Sequence, residues 1–87
     1  MISPSTRKHK KYMFYHEGKT YHFGDSRYEQ YKDSTGLGIY SHLDHMDKTR
    51  RSNYYKRHSG VETKEQAIKK EMKKGMSPKL LSHIFLW

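Results

Sequence analysis

The densest run of metal-capable side chains in this sequence is His42-Leu43-Asp44-His45. On a helix His42 and His45 would be i, i+3 neighbours able to share a cation, with Asp44 or a residue elsewhere as a third ligand. His58 follows one helix length later. Zinc sites usually take four ligands, and no second pair with fitting spacing stands out among the seven histidines. The competing reading is a set of helix-surface or loop histidines beside first-turn acids. A different chemistry is offered by Lys48, Arg50, Arg51, Tyr54, Tyr55, Lys56 and Arg57. Cations meet phosphate and tyrosines stack on exposed bases. On a helix Arg50, Tyr54 and Arg57 share one face, and Arg51, Tyr55 and His58 an adjacent one. Either this face meets nucleic acid or acidic protein, or Tyr54 packs inward while the arginines are solvated or pair with Asp44 and Asp47. Gly24 and Gly36-Leu37-Gly38 lack the strand–loop–helix context of a nucleotide site and read as turns. No nucleophile motif appears.

The charge balance bears on the partner, or on solubility alone. Lys and Arg number 18 against 9 Asp and Glu, a formal net charge of +9. Such an excess points to an acidic partner: nucleic acid, an anionic membrane surface or an acidic protein face. The cations gather in Arg7–Lys11, in Lys48–Arg51 with Lys56 and Arg57, and in Lys69–Lys74. The absence of cysteine removes disulfides, thiolate zinc sites and a thiol nucleophile together. Met1–Lys11 is polar and basic, unlike a secretory signal. No stretch approaches the ~18–20 apolar residues of a membrane span.

The elements that must position these groups are short. Val, Ile and Leu together number only 10, there is one Ala, and eight residues are tyrosine. A thin core is therefore expected, one that a partner could complete. Residues 1–10 read as a flexible basic arm, broken by Ser3, Pro4 and Ser5. Tyr12–Tyr15 and Thr20–Phe23 read as a β-hairpin closed through His16-Glu17-Gly18-Lys19. Tyr28 and Tyr31 suit one helical turn, and 33–38 a loop that Leu37, Ile39 and Tyr40 anchor. The spacing of Leu43, Met46 and Tyr54 predicts a helix over 42–58, ended by Gly60. Thr63-Lys64-Glu65-Gln66 matches a capping box opening a helix over 63–74, with Ala67, Ile68 and Met72 inward and Glu65 and Glu71 on the wet side. Ser77-Pro78 opens a third helix over 77–87, whose Leu80, Leu81, Ile84, Phe85, Leu86 and Trp87 must be buried. The fold class is α+β: an N-terminal hairpin and two or three short helices in a single small domain over 11–87.

Two resemblances add to this. A hairpin followed by a histidine-bearing helix is similar to ββα-metal endonucleases, with His22 as strand base and His42 or His45 on the helix. The ~20 intervening residues are too many for that compact unit, and its asparagine is missing. Tyr21-His22-Phe23-Gly24, Tyr28-Glu29-Gln30-Tyr31-Lys32-Asp33, Asp47–His58 and Ser82–Trp87 together resemble a small basic protein family of nucleocytoplasmic large DNA viruses. The Gly-rich loop at 34–38 and the Lys-rich helix at 64–74 depart from that family's pattern. The family carries no assigned activity and transfers no catalytic residue. It implies a viral protein in the virion, and in the host cytoplasm or nucleus during assembly.

The resulting expectation is a non-enzymatic virion structural protein, a minor capsid or cement component, with no cofactor. It would dock on acidic surfaces of other virion proteins through Arg7, Lys8, Lys10, Lys11, Lys48, Arg50, Arg51, Tyr55, Lys56 and Arg57. A sequence-nonspecific, duplex DNA-binding virion protein is the alternative, and a metal-dependent nuclease the third.

Overall fold

Aromatic side chains in alternation build the sheet. In the computed structural model, which describes residues 1–87, β2 (Lys10–His16) and β3 (Lys19–Asp25) pair antiparallel, Tyr12 opposite Phe23 and Phe14 opposite Tyr21. Period-two alternation puts these four rings on one face, where they pack with Leu81 and Leu86. Glu17 and Gly18 both have positive φ, 49° and 77°, which gives a two-residue turn matched to strand twist. The hairpin was legible, but the arm was not. Residues 1–10, expected to be a flexible basic arm, begin instead with β1 (Ile2–Pro4), antiparallel to β2 with Ile2 opposite Phe14. Ile2 supplies apolar cover to the sheet, and an edge strand tolerates Pro4, which has no N–H to give to a ladder.

After Asp25 the chain runs irregularly to Asp47, with one 3₁₀ turn at Ser41–Leu43. The helical turn expected around Tyr28 and Tyr31 is absent. Buried polar groups organise this stretch. Gln30 donates through Nε2 to the Tyr40 carbonyl and to Asp44, both at 2.7 Å, and Asp44 also accepts from the Asp33 N–H at 2.8 Å. Asp33 in turn accepts from the Tyr12 hydroxyl and from the Thr35 hydroxyl and N–H. Burial would raise the Asp33 pKa, yet the donated hydrogen bonds hold it below the usual carboxylate range. Of the expected loop anchors, Tyr40 meets Tyr12 edge-on at 5.4 Å, whereas Leu37 and Ile39 stay exposed.

Three helices complete the α+β body. α1 (Lys48–Ser59) starts six residues later than expected. Asp44 is engaged by Gln30 and Asp33, Met46 has φ 56°, and Asp47 caps the helix by accepting from the Thr49 and Arg50 N–H groups. α2 (Lys64–Met72) is capped by Thr63, and α3 (Pro78–Phe85) by Ser77 with Pro78 in its first turn. α3 lies on β3, α2 on α3 and α1 on α2. Two apolar clusters result, one around Tyr12, Phe23, Leu81 and Leu86, the other around Tyr54, Tyr55 and Ala67. Trp87 packs against both, stacked on Tyr54 at 4.1 Å and 4°. No helix is long and apolar enough to cross a membrane.

Candidate anion-binding cleft

The strand end of the sheet, the first turn of α3 and the last turn of α1 leave a cleft of about 460 Å³ between them. Lys10 comes to it from β2, Arg57 and His58 from α1, and Lys79 from α3. Its wall includes Trp87, and Tyr28, 65% exposed, stands at its edge with the Arg27 guanidinium over the ring at 5.7 Å. Two carboxylates also line it, and both are already matched. Asp25 accepts from the Arg27 Nε and Nη2 at 3.0 and 2.9 Å, which drives its pKa far below the usual range. Glu29 accepts from Arg50 at 2.9 Å and is also lowered. The cations Lys10 and Arg57 have no such partner, so the cleft presents net positive charge. Burial, with Arg57 and Lys79 nearby, pushes the His58 pKa down, so His58 is neutral at pH 7.

Lys11 lies under this cleft, and its role differs from the one its sequence neighbours suggested. It was expected to contact a partner, but it is 2% exposed. Its ammonium donates to the Tyr28 carbonyl at 2.9 Å and to Gln30 Oε1, tying the irregular stretch to the sheet. Burial lowers its pKa to about 8, against the pull of Asp25, Asp33 and Asp44. The stem fits because residue 24 is glycine: a Cβ there would stand 3.1 Å from Lys11 Cδ and 2.7 Å from Leu86 Cδ1. Tyr55 is the second correction. It is 1% exposed because the adjacent face of α1 packs on α2, and its hydroxyl is directed to the carbonyl of His83, whose ring it meets edge-on at 5.1 Å. Arg50 and Arg51 are also less free than expected. Arg50 is the partner of Glu29, and the Arg51 guanidinium lies 4.2 Å over the Tyr31 ring. Arg7, Lys8, Lys10, Lys48, Lys56 and Arg57 are exposed.

The histidines and acids singled out for metal chemistry are given separate duties. His22 Nδ1 meets Ser5 Oγ at 2.7 Å, Asp44 serves Gln30 and Asp33, and His45 Nδ1 accepts from the Asp47 N–H at 2.9 Å. No three His, Asp or Glu side chains converge to hold a metal ion.

One constellation escaped the sequence reading altogether. His83 is fully buried and couples three elements: Tyr54 OH lies 3.1 Å from Nδ1, and Ser59 Oγ lies 2.8 Å from Nε2 and donates to Glu71 at 3.2 Å. Because the Ser59 proton goes to Glu71, Ser59 Oγ accepts from Nε2–H, and Nδ1 accepts from Tyr54. The imidazole is thus neutral, and burial lowers its pKa to about 4. Serine, histidine and carboxylate are present, but the serine proton faces the carboxylate and all three residues are buried. This is a sealed tie between α1, α2 and α3. Glu71, expected on the wet side of α2, is its end member, while Met72, expected inward, is 62% exposed. The only available signal was three polar residues on three helices, which has no local spacing to recognise.

The model of a family of unknown function, DUF5754, matches residues 1–35, the three-stranded sheet and the segment bearing Gln30 and Asp33. No curated protein and no solved structure matches the chain.

Proposed function

We propose that this chain is a non-enzymatic binding protein that docks on an acidic partner through its basic, tyrosine-bearing face. The observation that carries this reading is the meeting of Lys10 and Arg57, 47 positions apart in sequence, at one cleft whose own carboxylates are already paired. Only three of the eighteen lysines and arginines form ion pairs with carboxylates, so the positive charge is not consumed internally. The resemblance to a large-DNA-virus family supports an acidic surface of the virion shell as that partner, and a minor capsid or cement role for the protein. Docking there would also reinforce a small body with few aliphatics, by mass action.

Sequence-nonspecific DNA binding is the second reading, favoured by the exposed Tyr28 beside the cleft cations. Titration of the purified chain with random-sequence duplex DNA across a salt series separates the two. The virion-protein reading expects weak binding that vanishes at moderate salt. Micromolar binding near ~150 mM salt, with a log–log slope worth several phosphates, overturns it in favour of DNA.

A further inference from the structure

Cation placement and aromatic placement coincide at the cleft, and together they specify more than an acidic surface. Its volume, about 460 Å³, lies within the ~300–1,000 Å³ of small-ligand sites. Three cationic side chains from three different elements, Lys10, Arg57 and Lys79, border a space walled by aromatic rings. Lys79 is fixed in place, donating to the His58 carbonyl at 3.1 Å. Asp25 and Glu29, which would repel an anion, are held by Arg27 and Arg50. A flat acidic protein surface would use the cations and leave the aromatic wall empty. A phosphate attached to a planar heterocycle would use both.

We propose that this cleft binds a nucleoside phosphate, either free or as one unstacked residue of a single strand. Its phosphate is held by Lys10, Arg57 and Lys79, and its base lies against Tyr28 and Trp87. The site stands apart from the question of which macromolecule the remaining cations meet, and a failed duplex titration leaves it intact.

Trp87 is the one tryptophan in the chain and lies in the cleft wall, so its emission in the folded protein responds to a ligand in the cleft. The wild-type protein is titrated with thymidine 5′-monophosphate, with a ten-nucleotide oligothymidylate, with duplex DNA and with polyglutamate. Saturable quenching by the mononucleotide and the oligonucleotide supports a free nucleoside phosphate as sufficient ligand. Quenching by the oligonucleotide alone supports the single-strand source. Arg57→Gln and Lys10→Gln should each weaken that binding about tenfold, as loss of a charge-assisted contact does. Tyr28→Ala should weaken it about fivefold or more. Unchanged melting temperatures identify variants that remain folded, and Lys19→Gln, at the turn end of the hairpin and away from the Lys10–Asp25 end that borders the cleft, is the control that leaves quenching as it was. No quenching by either nucleotide ligand overturns the proposal. So does equal quenching by polyglutamate, which would assign the cleft to an acidic peptide, and so does full retention of affinity in both Arg57→Gln and Lys10→Gln.

Discussion

Acid should weaken the tie between α1, α2 and α3 from about pH 6.5 downward, through His83. His83 titrates at about 4 in the folded chain, because burial outweighs the favourable charge of Glu71 and is reinforced by His58, Lys79 and Lys64, against 6.5 for a free imidazole. The folded pKa lies below the unfolded one, so between these values the unfolded chain binds the extra proton. Stability is then complete above about pH 6.5 and falls as the pH drops towards 4. At ~1.4 kcal/mol per pKa unit the full loss is about 3 kcal/mol, most of it reached by pH ~4.5. His83 is fully buried, so solvent screening does not reduce this figure. Against the ~5 kcal/mol typical of a small domain it is a large fraction. Asp33 and Glu29 carry lowered pKa values and give up their share only below about pH 4.5, so the window above belongs to histidine. His22, His45 and His58 are also lowered and act in the same direction. The assay is urea unfolding followed by Trp87 emission at half-unit steps from pH 7.5 to 4.5, on the wild type and on His83→Gln. The glutamine does not titrate but keeps a donor and an acceptor. The wild type should lose about 2–3 kcal/mol more than the variant across the series. Parallel pH dependence of the two proteins would refute the buried neutral imidazole and the hydrogen-bond directions assigned to it.

Three further substitutions probe the parts that hold the cleft. Gly24→Ala places a Cβ 2.7 Å from Leu86 at φ 76° and should cost about 2–4 kcal/mol in urea unfolding, since strain and overpacking act together. Tyr12→Phe removes the donor to Asp33 and the acceptor for the Ile39 N–H, for a loss of about 1–3 kcal/mol by the same measurement. Asp47→Ala deletes the cap of α1 and should lower stability by ~1 kcal/mol, with helical circular dichroism retained at low temperature.

The parts of this fold legible in sequence are those specified by local periodicity. Aromatic alternation announced β2 and β3, and Thr63 and Ser77 marked the starts of α2 and α3, because each signal is complete within a few residues. The illegible parts are set by contacts across the chain. Lys11 follows Arg7, Lys8 and Lys10, and nothing in that run separates the one whose ammonium reaches a carbonyl 17 residues on. Tyr55 sits between Tyr54 and Lys56 in a basic stretch, and only the packing of α1 on α2 turns it inward. The site was half visible for the same reason. Lys10 and Arg57 were named as cations, but their meeting depends on the sheet and the helices together, and Lys79 was not named at all.

The shortage of aliphatic residues explains why so many polar side chains are interior. With ten Val, Ile and Leu residues, the chain fills its centre with tyrosines, whose hydroxyls then require partners. Asp33 answers Tyr12, and His83 answers Tyr54. Gln30 and Asp44 do the same for the exposed-looking stretch between sheet and helices, anchored by Lys11. An interior of this kind couples the cleft to the fold. Trp87 contacts both apolar clusters and also walls the cleft, and Lys11 braces the segment that carries Tyr28. A ligand that occupies the cleft therefore presses on residues that already hold α1, α3 and the sheet together. Its binding free energy adds directly to stability, about 2.7 kcal/mol at a hundredfold excess over Kd. Thermal stabilisation is thus the natural companion of Trp87 quenching, and a cation lost from the cleft should diminish both in proportion.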